Sequence, residues 1–90
     1  MSAYLIVYGT PLNQAALAEY SAGAGPTLAA HGAELVVKGV PIALAGQAPA
    51  LTVIYRFRDR ATLEGWYESP EYQRLIPLRE QALNATFLMC

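Results

Sequence analysis

The sequence predicts an α+β fold, a four-stranded antiparallel sheet with two helical regions packed on one face, formed by two split β-α-β units. Three observations carry this. Four short segments are rich in β-branched and aromatic residues, two longer segments have helical caps or spacing, and their order is strand, helix, strand, strand, helix, strand. Ninety residues suit one domain, 1–90, in which folding hides roughly 60 to 70 per cent of the surface the unfolded chain exposes.

Ala3-Tyr4-Leu5-Ile6-Val7-Tyr8 reads as the first strand, stopped by the turn-forming Gly9-Thr10-Pro11. From Asn13 to His31 the chain is Ala-rich, with Leu17, Tyr20, Ala24 and Leu28 on one helical face. Gly23, Gly25 and Pro26 weaken that helix. An interior proline costs about 3 kcal/mol, so a bend or break is expected between Gly23 and Pro26, and Gly32 then ends the segment. Glu34 to Lys38 is the second strand and Leu51 to Phe57 the third, joined by an irregular stretch from Val40 to Ala50 in which Ile42 to Leu44 could extend the sheet. Leu51, Val53, Tyr55 and Phe57 alternate with Thr52, Ile54 and Arg56, so one face of this strand is apolar and suits the helices. The other face is mixed and calls for a second sheet, which a twofold-related copy supplies.

Asp59 caps the second helical region, which runs through Leu63 and Trp66. Ser69-Pro70-Glu71 restarts it: Ser69 accepts from a free amide, Pro70 has no amide to leave unpaired, and Glu71 suits the positive helix end. On that reading aspartate at position 69 would cap equally well. Pro77 interrupts again before the helical Leu78 to Leu83, and Ala85 to Met89 is the last strand. Trp66, Tyr67 and Tyr72 gather aromatic surface around the restart, at the kind of corner where a pocket or subunit contact forms.

Apolar residues are 54% of the chain and charged residues only 14%, against a usual charged share of about 25%. A monomer would struggle to cover itself, so a homodimer is expected, although alanine inflates the apolar count without making sticky patches. The net charge of −1 is scattered, with no basic stripe, which argues against nucleic acid as a partner. Apolar runs are short and interrupted, so no membrane partner or signal peptide is expected and the cytoplasm is the expected compartment. With one cysteine, Cys90, and one histidine, the chain lacks a ligand set for a structural zinc site, and no metal or organic cofactor is expected.

Tyr20, Pro26, Gly32 and Lys38-Gly39, followed by Phe57, Trp66-Tyr67, Ser69-Pro70-Glu71-Tyr72-Gln73 and Leu78-Arg79, together resemble the uncharacterised family called domain of unknown function thirteen-thirty. The likeness spans nearly the whole chain, and Ser-Pro-Glu-Tyr-Gln is its most specific segment. It implies membership of the dimeric α/β-barrel superfamily, with ferredoxin-like subunits whose sheets face each other. That superfamily includes cofactor-free monooxygenases and lactone isomerases; the family itself implies no reaction. Relatives commonly carry an acidic residue where Arg56 stands, and a longer loop with Arg and Trp where this chain has Val40 to Ala50.

Six residues are candidate ligand contacts: His31, Arg56, Trp66, Tyr67, Tyr72 and Arg79. His31 is the only side chain that ordinarily titrates near neutrality, but it stands at a helix C-terminus, where a capping or polar-contact role is a sufficient explanation. Arg56, on the mixed strand face, needs an anion: a ligand carboxylate, Glu34, or a carboxylate of a second subunit. Arg79 either caps a helix or reaches the same cleft, and the aromatic residues are core, interface, or the walls of a site for a planar ligand. No Ser-His-Asp set and no glycine-rich phosphate loop is present. These readings point to a homodimeric small-molecule-binding protein, extending to a cofactor-free enzyme acting on a planar or anionic metabolite. The alternative is a noncatalytic dimerisation or interaction module without a ligand pocket.

Overall fold

The computed structural model describes residues Met1–Cys90. Its elements are β1 (Ala3–Pro11), α1 (Gln14–Ala30), β2 (Glu34–Gly39), β3 (Leu51–Phe57), α2 (Arg60–Glu68), α3 (Pro70–Gln73), α4 (Ile76–Ala82) and β4 (Leu83–Met89). The strands form one antiparallel sheet in the order β2-β3-β1-β4, with β1 and β3 central and β2 and β4 at the edges. This is the ferredoxin-like arrangement the sequence predicts. The molecule measures 32 × 31 × 15 Å, and the short dimension is that of one sheet carrying one layer of helices.

Period-two alternation decides the faces. Leu5 and Val7 of β1, Val53, Tyr55 and Phe57 of β3, and Leu83 and Phe87 of β4 take the helix side, where the buried core lies. The third strand has the predicted limits, 51–57, while β1 runs on through Pro11 and β4 begins at Leu83 rather than Ala85. Leu83 is strand because its extended backbone pairs it with Pro11. Gly9 is where β1 and β4 approach most closely: a Cβ there would stand 2.2 Å from the Asn84 carbonyl oxygen, so no larger residue fits without moving a strand.

α1 runs unbroken from Gln14 to Ala30 with Pro26 inside it, so of the expected bend or break the break does not occur. Burial of Tyr20, Ala24, Thr27 and Leu28 along one face offsets the backbone bond that proline cannot make. The small Gly23 lets α1 lie against Leu75. The helix ends in a Schellman motif: Gly32 at φ 70° donates to the Ala29 carbonyl, and Ala33 donates to that of Leu28.

Asp59 Oδ1 accepts from the Thr62 amide at 2.7 Å, capping α2 as expected. Those hydrogen bonds hold the Asp59 carboxyl below its ordinary pKa. Pro77 occupies the first turn of α4 instead of interrupting it. The 40–50 segment adds no strand, and Val40, Ile42 and Leu44 stand exposed along it.

Candidate functional site

A cavity of about 310 Å³ lies between the sheet and α1. Leu5, Val7, Val53 and Phe87 form its floor; Leu17, Tyr20, Ala24 and Leu28 of α1 form its roof; Trp66 closes one side and Lys38 of β2 lies on its border. The cavity arises because α1 presents small residues, Ala24 and Gly25, above a sheet surface whose larger side chains do not fill the gap. A second hollow, between α2 and β4, is bordered by Glu64, Tyr67, Glu68 and Met89 and has a volume of about 380 Å³. The first is walled by 18 residues and the second by 8, so the first is the more enclosed and the second is a groove.

The aromatic corner sits behind the cavity wall. Trp66 is 1% exposed, and its ring lies 4.3 Å from that of Tyr72 and 5.8 Å from that of Phe57, centre to centre. Its indole N–H donates to Thr27 Oγ1 at 3.0 Å, and the Thr27 hydroxyl donates to the Ala24 carbonyl at 2.7 Å, which fixes the ring against α1. Beside it, the hydroxyls of Tyr20 and Tyr72 share a hydrogen bond of 2.7 Å. Arg79 donates to the Tyr72 hydroxyl at 3.2 Å and to that of Tyr67 at 3.1 Å, with its guanidinium 4.6 Å from the centre of the Phe87 ring. A polar chain thus leads from the cavity wall at Tyr20 through Tyr72 to Arg79 and Tyr67.

Burial pushes the Tyr20 phenol well above its ordinary pKa, and Tyr72 beside it adds to the rise. Tyr72 is also raised by burial, against the opposing bonds from Tyr20 and Arg79. Arg79 loses hydration, yet the Tyr67 and Tyr72 oxygens more than compensate and hold it cationic. Near neutral pH Tyr20 and Tyr72 are therefore hydrogen-bonding groups, not bases. No carboxylate, imidazole or thiol belongs to the residues that line the cavity, which are mostly apolar and aromatic with a single charged residue, Lys38.

The six candidates do not converge. Trp66 borders the cavity and Tyr67 the groove, while Tyr72 and Arg79 stand behind the wall in the polar chain. His31 lies at the end of α1, where Nδ1–H donates to the Thr27 carbonyl at 2.9 Å, and it lines neither hollow. Arg56 points from the opposite face of the sheet and binds Glu34 at 2.5 Å, so it does not share a cavity with His31 and Trp66. This pair is largely exposed, and its hydrogen bond raises the arginine pKa further.

Sequence reasoning missed Lys38, and a bulge explains why. Leu35 faces the helices opposite Tyr55, so plain alternation would carry Val37 inward and Lys38 outward. The register shifts between Leu35 and Val37, which pairs Lys38 with the inward Val53. Nothing in the local residues announces that shift. Thr27 was missed for another reason: its role depends on Trp66, 39 positions away.

A Rhodopseudomonas palustris protein of unknown function superimposes with a TM-score of 0.82 at 14% identity, covering 99% of this chain and 80% of that one. A Mesorhizobium loti dabb family protein with a ferredoxin-like fold gives 0.69 at 15% identity, covering 99% and 92%. A dimeric Bacteroides fragilis protein of unknown function, also ferredoxin-like, gives 0.63 at 8% identity, covering 99% and 94%. At these identities the likeness establishes the fold. A search of curated proteins returned no significant match. In the sequence itself, the family model described as Domain of unknown function (DUF1330) matches residues 2–90, and the chain belongs to that family.

Proposed function

We propose that this protein is a homodimeric small-molecule-binding protein whose ligand occupies the cavity between the sheet and α1. The cavity itself carries the reading: about 310 Å³, mostly apolar, with the aromatic residues Trp66, Tyr55 and Phe87 among those that line it, a setting that suits a planar guest. Its position leaves the opposite sheet face free for a second subunit. There Val37, Ile54, Ile6 and Leu88 fall in one row across all four strands, through the pairs Val37–Ile54, Ile54–Ile6 and Ile6–Leu88. Val37 is 47% and Leu88 43% exposed in the single subunit, the kind of apolar band that an isologous sheet contact covers. The Bacteroides fragilis neighbour is described as dimeric, which supports a dimer as such.

Trp66 is the only tryptophan and borders the cavity, so its fluorescence reports occupancy. Titration with single-ring aromatic compounds should change that emission saturably in the native protein. Filling the cavity with Ala24→Phe, or with the smaller Ala24→Leu, should remove the response while circular dichroism stays native. Absence of any saturable response, or a response unaltered in both folded variants, would overturn the ligand reading. In that event the apolar row favours the noncatalytic dimerisation module.

A further inference from the structure

Lys38 is the only charged residue lining the cavity. Its pairing with Val53, itself a lining residue, puts it on the helix side of β2. The ion pairs of the molecule are Arg56–Glu34, Arg58–Asp59, Arg60–Glu64 and Arg79–Glu80, so the Lys38 ammonium has no carboxylate partner. The bulge between Leu35 and Val37 puts position 38 on the helix side of the sheet, where Lys38 remains exposed to solvent at the cavity's border. A cation without a counter-ion on the border of an apolar cavity is half of a recognition site for an amphipathic anion. Resting on the reading of the cavity as a ligand site, we propose that Lys38 selects the ligand class: a small monocarboxylate with an apolar or aromatic body, its carboxylate on Lys38 and its body against Val53, Trp66 and Phe87.

Size sets the body. A volume of 310 Å³ equals that of about ten waters in the liquid, enough for one ring with a short tail. The border position sets the charge, because there the ammonium keeps part of its hydration until a carboxylate arrives. Arg56 supplies no competing anion site in the cavity, since it lies on the other face with Glu34. An inward lysine on an edge strand has another use, discouraging strand-to-strand aggregation, and the two roles predict different results.

The test titrates 3-phenylpropanoate and its neutral amide, 3-phenylpropanamide, against Trp66 fluorescence. The native protein should prefer the carboxylate by about tenfold, the scale of one charge-assisted hydrogen bond. That preference should shrink as sodium chloride is raised. Lys38→Met and Lys38→Gln should bring the ratio near one while amide affinity stays; Lys38→Arg should keep the preference. Equal affinity for both probes in the native protein would overturn the Lys38 assignment yet leave the cavity reading standing. A ratio unchanged in Lys38→Met, with or without aggregation, would overturn the assignment in favour of edge protection. Failure of both probes to bind the native protein, together with a failed aromatic titration, would remove the cavity reading and this inference with it.

Discussion

Ser69 Oγ makes two bonds at once, donating to the Trp66 carbonyl at 2.7 Å and accepting from the Tyr72 amide at 3.3 Å. It therefore closes α2 and opens α3 with one hydroxyl. The sequence discloses the accepting half, because Ser-Pro-Glu is a helix-start pattern, but not the donating half, which depends on where α2 ends. The second bond changes the expected substitution pattern: a carboxylate cannot donate to Trp66, so Ser69→Asp should lose stability along with Ser69→Ala, each by about 1 kcal/mol. Ser69→Thr keeps both bonds and should stay near native in urea unfolding. Aspartate at native stability would refute the bridging role.

The buried phenols give a second residue-scale prediction. Burial raises Tyr20 and Tyr72 above the unfolded value of about 10, so the folded chain keeps protons that the unfolded chain releases. The stability they contribute is present below pH about 10 and declines as pH rises beyond it. Urea unfolding between pH 8 and 11 should show that decline, and Tyr20→Phe with Tyr72→Phe should flatten the part due to these groups. An unchanged pH dependence in the double variant would contradict it. His31 was legible at this scale, since capping at a helix C-terminus is a local matter; the Tyr20–Tyr72 bond, spanning 52 positions, was not.

At the scale of elements, what the sequence reveals depends on how local the determinant is. β3 and the Asp59 cap are written in adjacent residues, and both stand where the pattern puts them. α1 is the counter-case: Gly23, Gly25 and Pro26 argue locally for a break, yet packing keeps one helix. Pro26 is exposed, so Pro26→Ala restores an amide and should stabilise the protein by up to about 3 kcal/mol, less the gain from proline's restriction of the unfolded chain. A higher urea midpoint with unchanged slope is the expected readout, and a lower midpoint would mean that the proline shapes α1 for its seat on the sheet. β2 carries the other discrepancy, because its bulge selects which side chain meets the cavity. Sequence alternation disclosed the outward Arg56; it could not disclose the inward Lys38.

For the whole molecule, the balance of surface and core favours association. The accessible surface is 5752 Å², above the roughly 5,100 Å² expected for a folded monomer of 9.7 kDa, and only 13 of 90 residues are buried. Part of the excess is the exposed Leu35, Val36 and Val37 of β2 and the apolar 40–50 segment. Ile54→Lys sets a charge in the row formed by Val37, Ile54, Ile6 and Leu88, on the face away from the cavity. Light scattering at micromolar concentration should give a dimer for the native protein and a shift towards monomer for the variant, with unchanged circular dichroism. A native monomer, or a variant of unchanged mass, would mean that this face is not the contact.

The two faces of one sheet thus hold the two functions proposed, ligand inside and partner outside, and methyl-resolved NMR separates them directly. Titrating 3-phenylpropanoate should shift the methyl signals of Leu5, Val7, Leu17, Leu28 and Val53, which line the cavity, and leave those of Ile6, Ile54 and Leu88 nearly still. Shifts confined to Ile6, Ile54 and Leu88, or no shifts at saturating probe, would contradict the account.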